Sequence, residues 1–506
     1  MIKYINTVFL LLLTSAYLSG QTIEDALRYS TIQPAGTAAM MGIGSAAGAI
    51  GGDYSTMHIN PAGIADFKRS KFVFTPMIST YSSDAGIKEL VGNQSSDDKT
   101  RFSIGNVGFV NVNRGSAGSK MKNFNVAIGF SQVADFNDAI FFQGNNAGSI
   151  LDHFVILANN QGEGNLDPFS TQLASEAGAL IYDTDNFEFF SDLDGVALDQ
   201  PIQKSQTIRR SGSMNELNLT LGGNYNDKLN FGFHVGIPFI NFEETKTYRE
   251  EGPGLEISPF QSLQYIEQLS TSGVGFNFKT GIQYKVVPRL RLGAAIHSPT
   301  YMNLTDDFNV GLNYTYVDGA TIPGSSNSPD GNFRYRITNP WRFIGSVATV
   351  YSMGDVKGFI SADIELLDYA NTNFNLGAYS EQIEDIAYGN ELNQEINDRL
   401  QNAINYRIGT ELAYENLRLR AGIGLNQMPY DEADADPNLE EASEFNRVYS
   451  LGVGFRVESF FMDFAYRRIS GSSGYYPYFN DSGIGNTLVN IDNRANNIAI
   501  TTGFTF

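Results

Sequence analysis

Asn497-Ile-Ala-Ile-Thr-Thr-Gly-Phe-Thr-Phe506 closes the chain, and its period decides the fold. Ile498, Ile500, Thr502, Phe504 and Phe506 fall on one face, while Asn497, Ala499, Thr501, Gly503 and Thr505 fall on the other. A period of two with one apolar face is the pattern of a β-strand. The alternation recurs upstream. Phe124, Val126, Ile128 and Phe130 oppose Asn125, Ala127, Gly129 and Ser131. Phe231, Phe233, Val235 and Ile237 oppose Gly232, His234 and Gly236. Leu417, Leu419, Ala421, Ile423 and Leu425 oppose Arg418, Arg420 and Asn426. Fourteen such runs lie near 71–81, 101–113, 122–133, 213–225, 228–241, 273–286, 289–299, 341–351, 356–368, 405–414, 417–428, 446–456, 459–469 and 496–506. Most reach the roughly 9–11 residues that a tilted strand needs to cross a bilayer.

The connections alternate between long and short. Long ones fall near 82–100, 134–212, 242–272, 300–340, 369–404, 429–445 and 470–495. Short ones include Asn226-Asp227, Val287-Pro288 and Glu415-Asn416. An outer-membrane barrel has short periplasmic turns and longer external loops, whereas a soluble sandwich has no reason to alternate them. The expectation is all-β: a transmembrane antiparallel β-barrel of about 14 strands, with both termini on the periplasmic side.

Composition agrees with that class. Of 506 residues, 36 are Phe, 26 Tyr, 51 Gly and none Cys, which suits sheets with many turns and removes disulfide and thiolate chemistry. A net charge of −21 argues against nucleic acid as a partner. Met1–Gly20 carries one Lys, an apolar stretch and a small-residue end, the pattern of a secretory signal. Residues 21–70 follow, rich in Gly and Ala and without strand alternation. They suit a plug, or hatch, in the mouth of a barrel spanning 71–506. Helical patterns at 149–159, 170–182 and 381–403 place helices in the external loops, the last of them Glu- and Asn-rich and expected as a solvated lid piece.

The Gly-rich run ending in Asn60-Pro61-Ala62-Gly63, followed directly by the first strand, resembles the hatch of the FadL-type family of outer-membrane long-chain fatty-acid and hydrocarbon transporters. The segments 273–306, 339–371 and 404–430 are similar to that family's barrel strands. The resemblance implies a fourteen-stranded monomeric barrel in the outer membrane of a Gram-negative-type bacterium. It also implies passive uptake of a hydrophobic small molecule, gated by Asn60, Pro61, Ala62 and Gly63. The external loops depart from the family's pattern, so loop-borne ligand contacts do not carry over.

Parity turns Lys279, Arg291, Arg407, Glu411, Arg418, Arg420, Arg456, Asp463 and Arg467 into the lumen. Such charges pair with one another or meet a substrate carboxylate, which a guanidinium binds bidentately. Arg291, Lys279, Arg418 and Arg420 are the named contacts of the second kind. Ile150, Leu151 and Phe154 on one external helix and Leu173 and Leu180 on another offer an apolar groove for capture, or a core that merely closes a cap. The acidic run 430–444 lacks Ca²⁺-hand spacing and reads as a loop facing lipopolysaccharide counter-ions. No nucleophile elbow, Walker loop or paired metal-binding His motif occurs, so neither catalysis nor a metal or cofactor is expected. His58, close to Asn60, is the one residue with a haem-ligand alternative. The rival readings are a binding or assembly protein of the same fold (a secretion-system component or haem-binding receptor), an outer-membrane enzyme and a general porin.

Overall fold

Alternation of apolar and small residues builds strands that are wet on neither face: one side meets lipid and the other a packed interior. A computed structural model describes residues 21–33, 36–90, 92–193, 201–252, 254, 258–430, 444–478 and 486–506. The expected signal and nearly all of the acidic run, 431–443, lie outside these. Fourteen strands form the wall. They are β1 Lys71–Ile87, β2 Ser95–Arg114, β3 Met121–Asp135, β4 Ile202–Tyr225, β5 Leu229–Glu251, β6 Phe260–Val287 and β7 Leu290–His297. They continue as β8 Arg342–Met353, β9 Val356–Asp368, β10 Asn402–Tyr414, β11 Leu417–Gln427, β12 Phe445–Val457, β13 Phe460–Tyr475 and β14 Val489–Thr505. Each pairs antiparallel with the next, and β14 returns to β1 with Thr505 opposite Lys71 and Phe504 opposite Phe72. Closure leaves no unpaired edge in the apolar layer, where an orphaned peptide group would be expensive.

Every one of the fourteen alternating runs is a wall strand, and the apolar face expected of each is the exposed one. Phe130, Leu219, Phe233, Ile282, Ile408, Leu451 and Phe504 all point outward. The short turns are tight. Asn226 and Asp227 both take positive φ, the conformation of a two-residue hairpin turn with the right twist. Among the described residues no helix is long and apolar enough to cross a membrane.

The long connections hold more strand than expected. β4 and β5 stay paired out to Gln203 opposite Glu251, and Asp138–Asn146 pairs with the outer part of β4. Beyond β7, Tyr301–Asp318 continues along β6, and Gly331–Thr338 runs beside it into β8. Pairing past the membrane lets an exposed ribbon satisfy its own backbone groups.

The helices α3 Ile150–Gln161, α4 Thr171–Glu176 and α5 Ile383–Arg399 sit in these connections. α4 is half the length expected from 170–182, because Gly178 takes φ 78° and the chain turns into a short hairpin. α5 is no solvated lid piece: its Leu392 and Ile396 are buried in a cluster with Tyr29, Phe242, Leu304 and Tyr335.

Residues before β1 pack against the inward faces of the wall. α1 Ile23–Ser30 lies in the cluster just described. α2 Ala38–Gly42 contributes to a cluster with Met77, Ala465 and Ala499, from β1, β13 and β14. Two 3₁₀ turns follow, Tyr54–His58 and Pro61–Asp66. Tyr54, Met57, Ile64 and Phe67 pack with Val73, Val110, Ala127 and Phe461.

Candidate functional site

The site begins with one asparagine. Asn60 is the N-cap of Pro61–Asp66: its Oδ1 accepts from the Ala62 N–H at 3.1 Å, and Pro61 at the first turn gives up no donor. The amide end of Asn60 faces the other way. Its Nδ2 donates to Gly48 O at 2.7 Å within the N-terminal segment and to Ile282 O of β6 at 3.0 Å. One side chain thus caps a turn, ties two parts of the segment together and bonds to the wall. Asn60 and Ala62 are fully buried. A side chain at Gly63 would strike Thr56, so the fourth residue of the motif is fixed by packing.

Further wall contacts surround this motif. Asn123 and Asn125 of β3 donate to Ala65 O at 2.9 Å and Ile64 O at 2.8 Å. Asp363 of β9 accepts from Gly48 N–H at 3.0 Å, and Gln283 of β6 donates to Gly48 O at 3.1 Å. The backbones approach closely because the wall is glycine there. A Cβ at Gly232 would overlap the Pro61 peptide, and one at Gly293 would overlap Gly48. Buried polar groups with this many partners specify one docking geometry, since each would be costly to strand.

The lumen charges face inward as parity requires, and most are paired. Arg291 meets Asp66 of the N-terminal segment at 3.3 Å. Lys279 meets Glu216 at 2.9 Å. Arg420 bonds to Glu411 at 2.6 Å and to Asp463 at 2.7 Å. Arg418 spends its donors on Glu415 O and Leu417 O at a hairpin turn. Of the four residues named as carboxylate contacts, Arg418 and Arg420 neighbour each other on β11, Lys279 and Arg291 lie on β6 and β7, and each already holds an acid or a carbonyl.

Two arginines are placed differently. Arg342 of β8 and Arg407 of β10 share the buried carboxylate of Glu365, the former at 2.6 Å. Arg342 Nε and Arg407 Nη1, like Arg291 Nε, are buried with no hydrogen-bond partner. Both residues line a cavity of about 160 Å³ between the N-terminal segment and β8–β13, where Arg467, Asn405 and Tyr369 meet apolar side chains such as Leu27, Ile59 and Val448. Sequence reasoning placed Arg407 in the lumen but missed Arg342. The signal was available: Arg342 shares a face with Ile344 and Ser346, opposite the outward Phe343 and Val347.

The external residues Ile150, Leu151, Phe154, Leu173 and Leu180 do come together. Each is at most 3% exposed, in a closed apolar core with Tyr248, Phe260, Leu312 and Tyr314. That core includes the N-terminus of α3, which Glu250 caps by accepting from Ile150 N–H at 2.9 Å and from the Ser149 hydroxyl. Glu250 lies on the part of β5 that stands clear of the membrane. Burial pushes its pKa up, against the opposing pull of Lys204 and of these hydrogen bonds.

Residues 204–506 match the family described as outer membrane protein transport protein (OMPP1/FadL/TodX). The chain belongs to this family. Its members are transport proteins of the outer membrane, which is where a closed fourteen-stranded barrel of this kind resides. No curated protein matches the sequence. Among solved structures, a Pseudomonas aeruginosa FadL homologue is similar at 13% identity, covering 94% of this chain and 100% of its own, with a TM-score of 0.53. The Pseudomonas putida toluene transporter TodX is similar at 13% identity, covering 93% and 98%, with a TM-score of 0.50. At such identities the likeness is one of fold, and FadL/TodX ligand contacts are not transferable residue by residue.

Proposed function

We propose that the protein takes up hydrophobic small molecules passively across the outer membrane, long-chain acids among them, and that the N-terminal segment is the hatch that controls passage. The observation that carries this reading is a lumen crossed by residues of the 21–70 segment, with a cavity of about 160 Å³ beside them that is lined by arginines and apolar side chains. A general porin needs an open aqueous channel instead. Ligand passes when the turn at Asn60, Pro61, Ala62 and Gly63 moves and its bonds to the wall exchange. The apolar core at Ile150, Leu151, Phe154, Leu173 and Leu180 serves as an external landing surface once it opens. The working unit in this reading is a monomer in contact with lipid and lipopolysaccharide, and closure of the ring within one chain is compatible with it. No catalytic step and no cofactor belong to this reading.

A carboxylate head group has two kinds of partner. Lys279 reaches it only by releasing Glu216, and Arg420 only by releasing Glu411 or Asp463, while Arg291 keeps an unpartnered Nε but is held beside Asp66 and does not line the cavity. Arg342 and Arg407 reach it with donors that are already free. Uptake of a long-chain acid and of toluene by cells carrying Arg407→Gln separates the cases. Acid uptake is expected to fall about tenfold, the effect of losing one charge-assisted hydrogen bond of about 1.5 kcal/mol, with toluene unchanged. Equal acid uptake by variant and wild type overturns the role of the pair.

A further inference from the structure

On three consecutive wall strands His234 (β5) is paired with Lys279 (β6), the Glu216 side chain (β4) reaches them from a position opposite Pro238, and His58 of the N-terminal segment faces Glu216. Their sequence positions give no hint of this meeting. Glu216 Oε1 lies 3.1 Å from His234 Nε2 and 3.5 Å from His58 Nδ1. One ligand atom from each of the three residues lies within 4.8 Å of the other two. Two zinc–ligand bonds of about 2.0–2.1 Å at a tetrahedral angle hold their donor atoms about 3.3 Å apart. The two shorter separations bracket that figure.

The surroundings point the same way. His58 is 4% exposed, and neither of its ring nitrogens has a hydrogen-bond partner. A buried imidazole with both nitrogens idle is rare without a reason. His234 instead has its Nδ1 engaged 2.7 Å from the Thr220 hydroxyl, which leaves Nε2 to the cluster. Asn277 donates to Glu216 Oε2 at 2.6 Å and fixes the carboxylate's orientation. Metal-bound His and carboxylate side chains are held by outer partners of this type. Two imidazoles and one carboxylate suit zinc and its neighbours in the first transition row.

Lys279 already places a cation here, with Nζ 2.9 Å from Glu216 Oε1 and 3.4 Å from His234 Nε2. Its ammonium is a point charge on a flexible stem. We propose that His58, Glu216 and His234 form a binding site for a divalent transition-metal ion of the Zn²⁺ type, which displaces the Lys279 ammonium from Glu216. An ion held there joins the N-terminal segment to β4 and β5 by coordinate bonds.

The test uses the purified full-length protein in detergent, stripped with chelator and titrated with ZnCl₂, bound metal being counted after desalting. The expected result is about one Zn²⁺ per chain. His58→Ala should weaken binding about 100-fold or more, beyond the roughly 10–100-fold that loss of an outer partner causes. His58→Phe, which keeps the buried volume, should do the same with the folded barrel's gel mobility unchanged. Lys279→Met, which removes the competing ammonium, should tighten binding. With Co²⁺ the wild type should show visible bands that both His58 variants lose. Wild-type affinity in the His58 variants places the ion elsewhere and overturns the proposal. So does binding that appears only in Lys279→Met. Binding is read without ligand or transport, so it stands or falls apart from the uptake reading.

Discussion

At the scale of single residues, the contact between wall and N-terminal segment is governed by what is missing as much as by what is present. Asn60 supplies both ends of its amide, and Gly232 supplies the absence of a side chain opposite Pro61. Gly232→Val should therefore displace the Pro61–Asp66 turn while β5 keeps its pairing. Overpacking of this kind costs about 1–3 kcal/mol. The expected outcome in planar bilayers is frequent open-channel events absent from the wild type, and a silent variant would refute the tight docking. The charges follow the same logic of local fit. Arg291, one of the four residues named for a carboxylate, has Asp66 across from it and keeps only its Nε unpartnered. Parity told which way the arginines point and could not tell what faces them. That depends on a segment with no periodicity of its own, which is why Arg342, Glu216 and His234 escaped notice as partners.

At the scale of elements, strands were legible and loops were not. Lipid imposes an apolar outer face on each strand, so each of the fourteen runs carries its own signal. β4 and β5 continue past the membrane, where that constraint ends; there Lys204, Gln206, Tyr248 and Glu250 turn inward and are buried. Helix lengths failed for a local reason, the positive φ of Gly178, which a helical pattern does not register. α5 was misjudged because Leu392 and Ile396, four apart, together with Tyr388 are enough to dock a helix otherwise rich in Glu, Asp and Asn. The cap built on α3 and α4 allows a prediction at this scale. Phe154→Ala should cost the cap about 3–5 kcal/mol. Limited proteolysis should then cut within 147–193 much faster, while the barrel keeps its heat-modifiable migration on gels. Equal cleavage rates would show that the core around Phe154 does not hold the cap.

At the scale of the whole molecule, a closed wall and an internal segment set the question of motion. The chain has no Cys, so a single engineered pair reports without interference. A Cβ built at Gly42 lies 3.3 Å from the Cβ of Arg420, close to the roughly 3.5–4.5 Å span of a disulfide. The pair Gly42→Cys and Arg420→Cys should arrest uptake when oxidised and restore it on reduction, read as ligand accumulation in cells with and without reductant. Uptake that ignores the redox state would mean that passage needs no displacement of α2. The seam of the ring has a further consequence, for the order of events in biogenesis. Lys71 is bonded to Thr505, so the first wall strand waits for the last to be made. Contacts this distant in sequence form late and slowly. The export machinery therefore has to keep nearly the whole polypeptide unfolded in transit. The residues that end up inside must already be in place when the final row of hydrogen bonds zips shut around them.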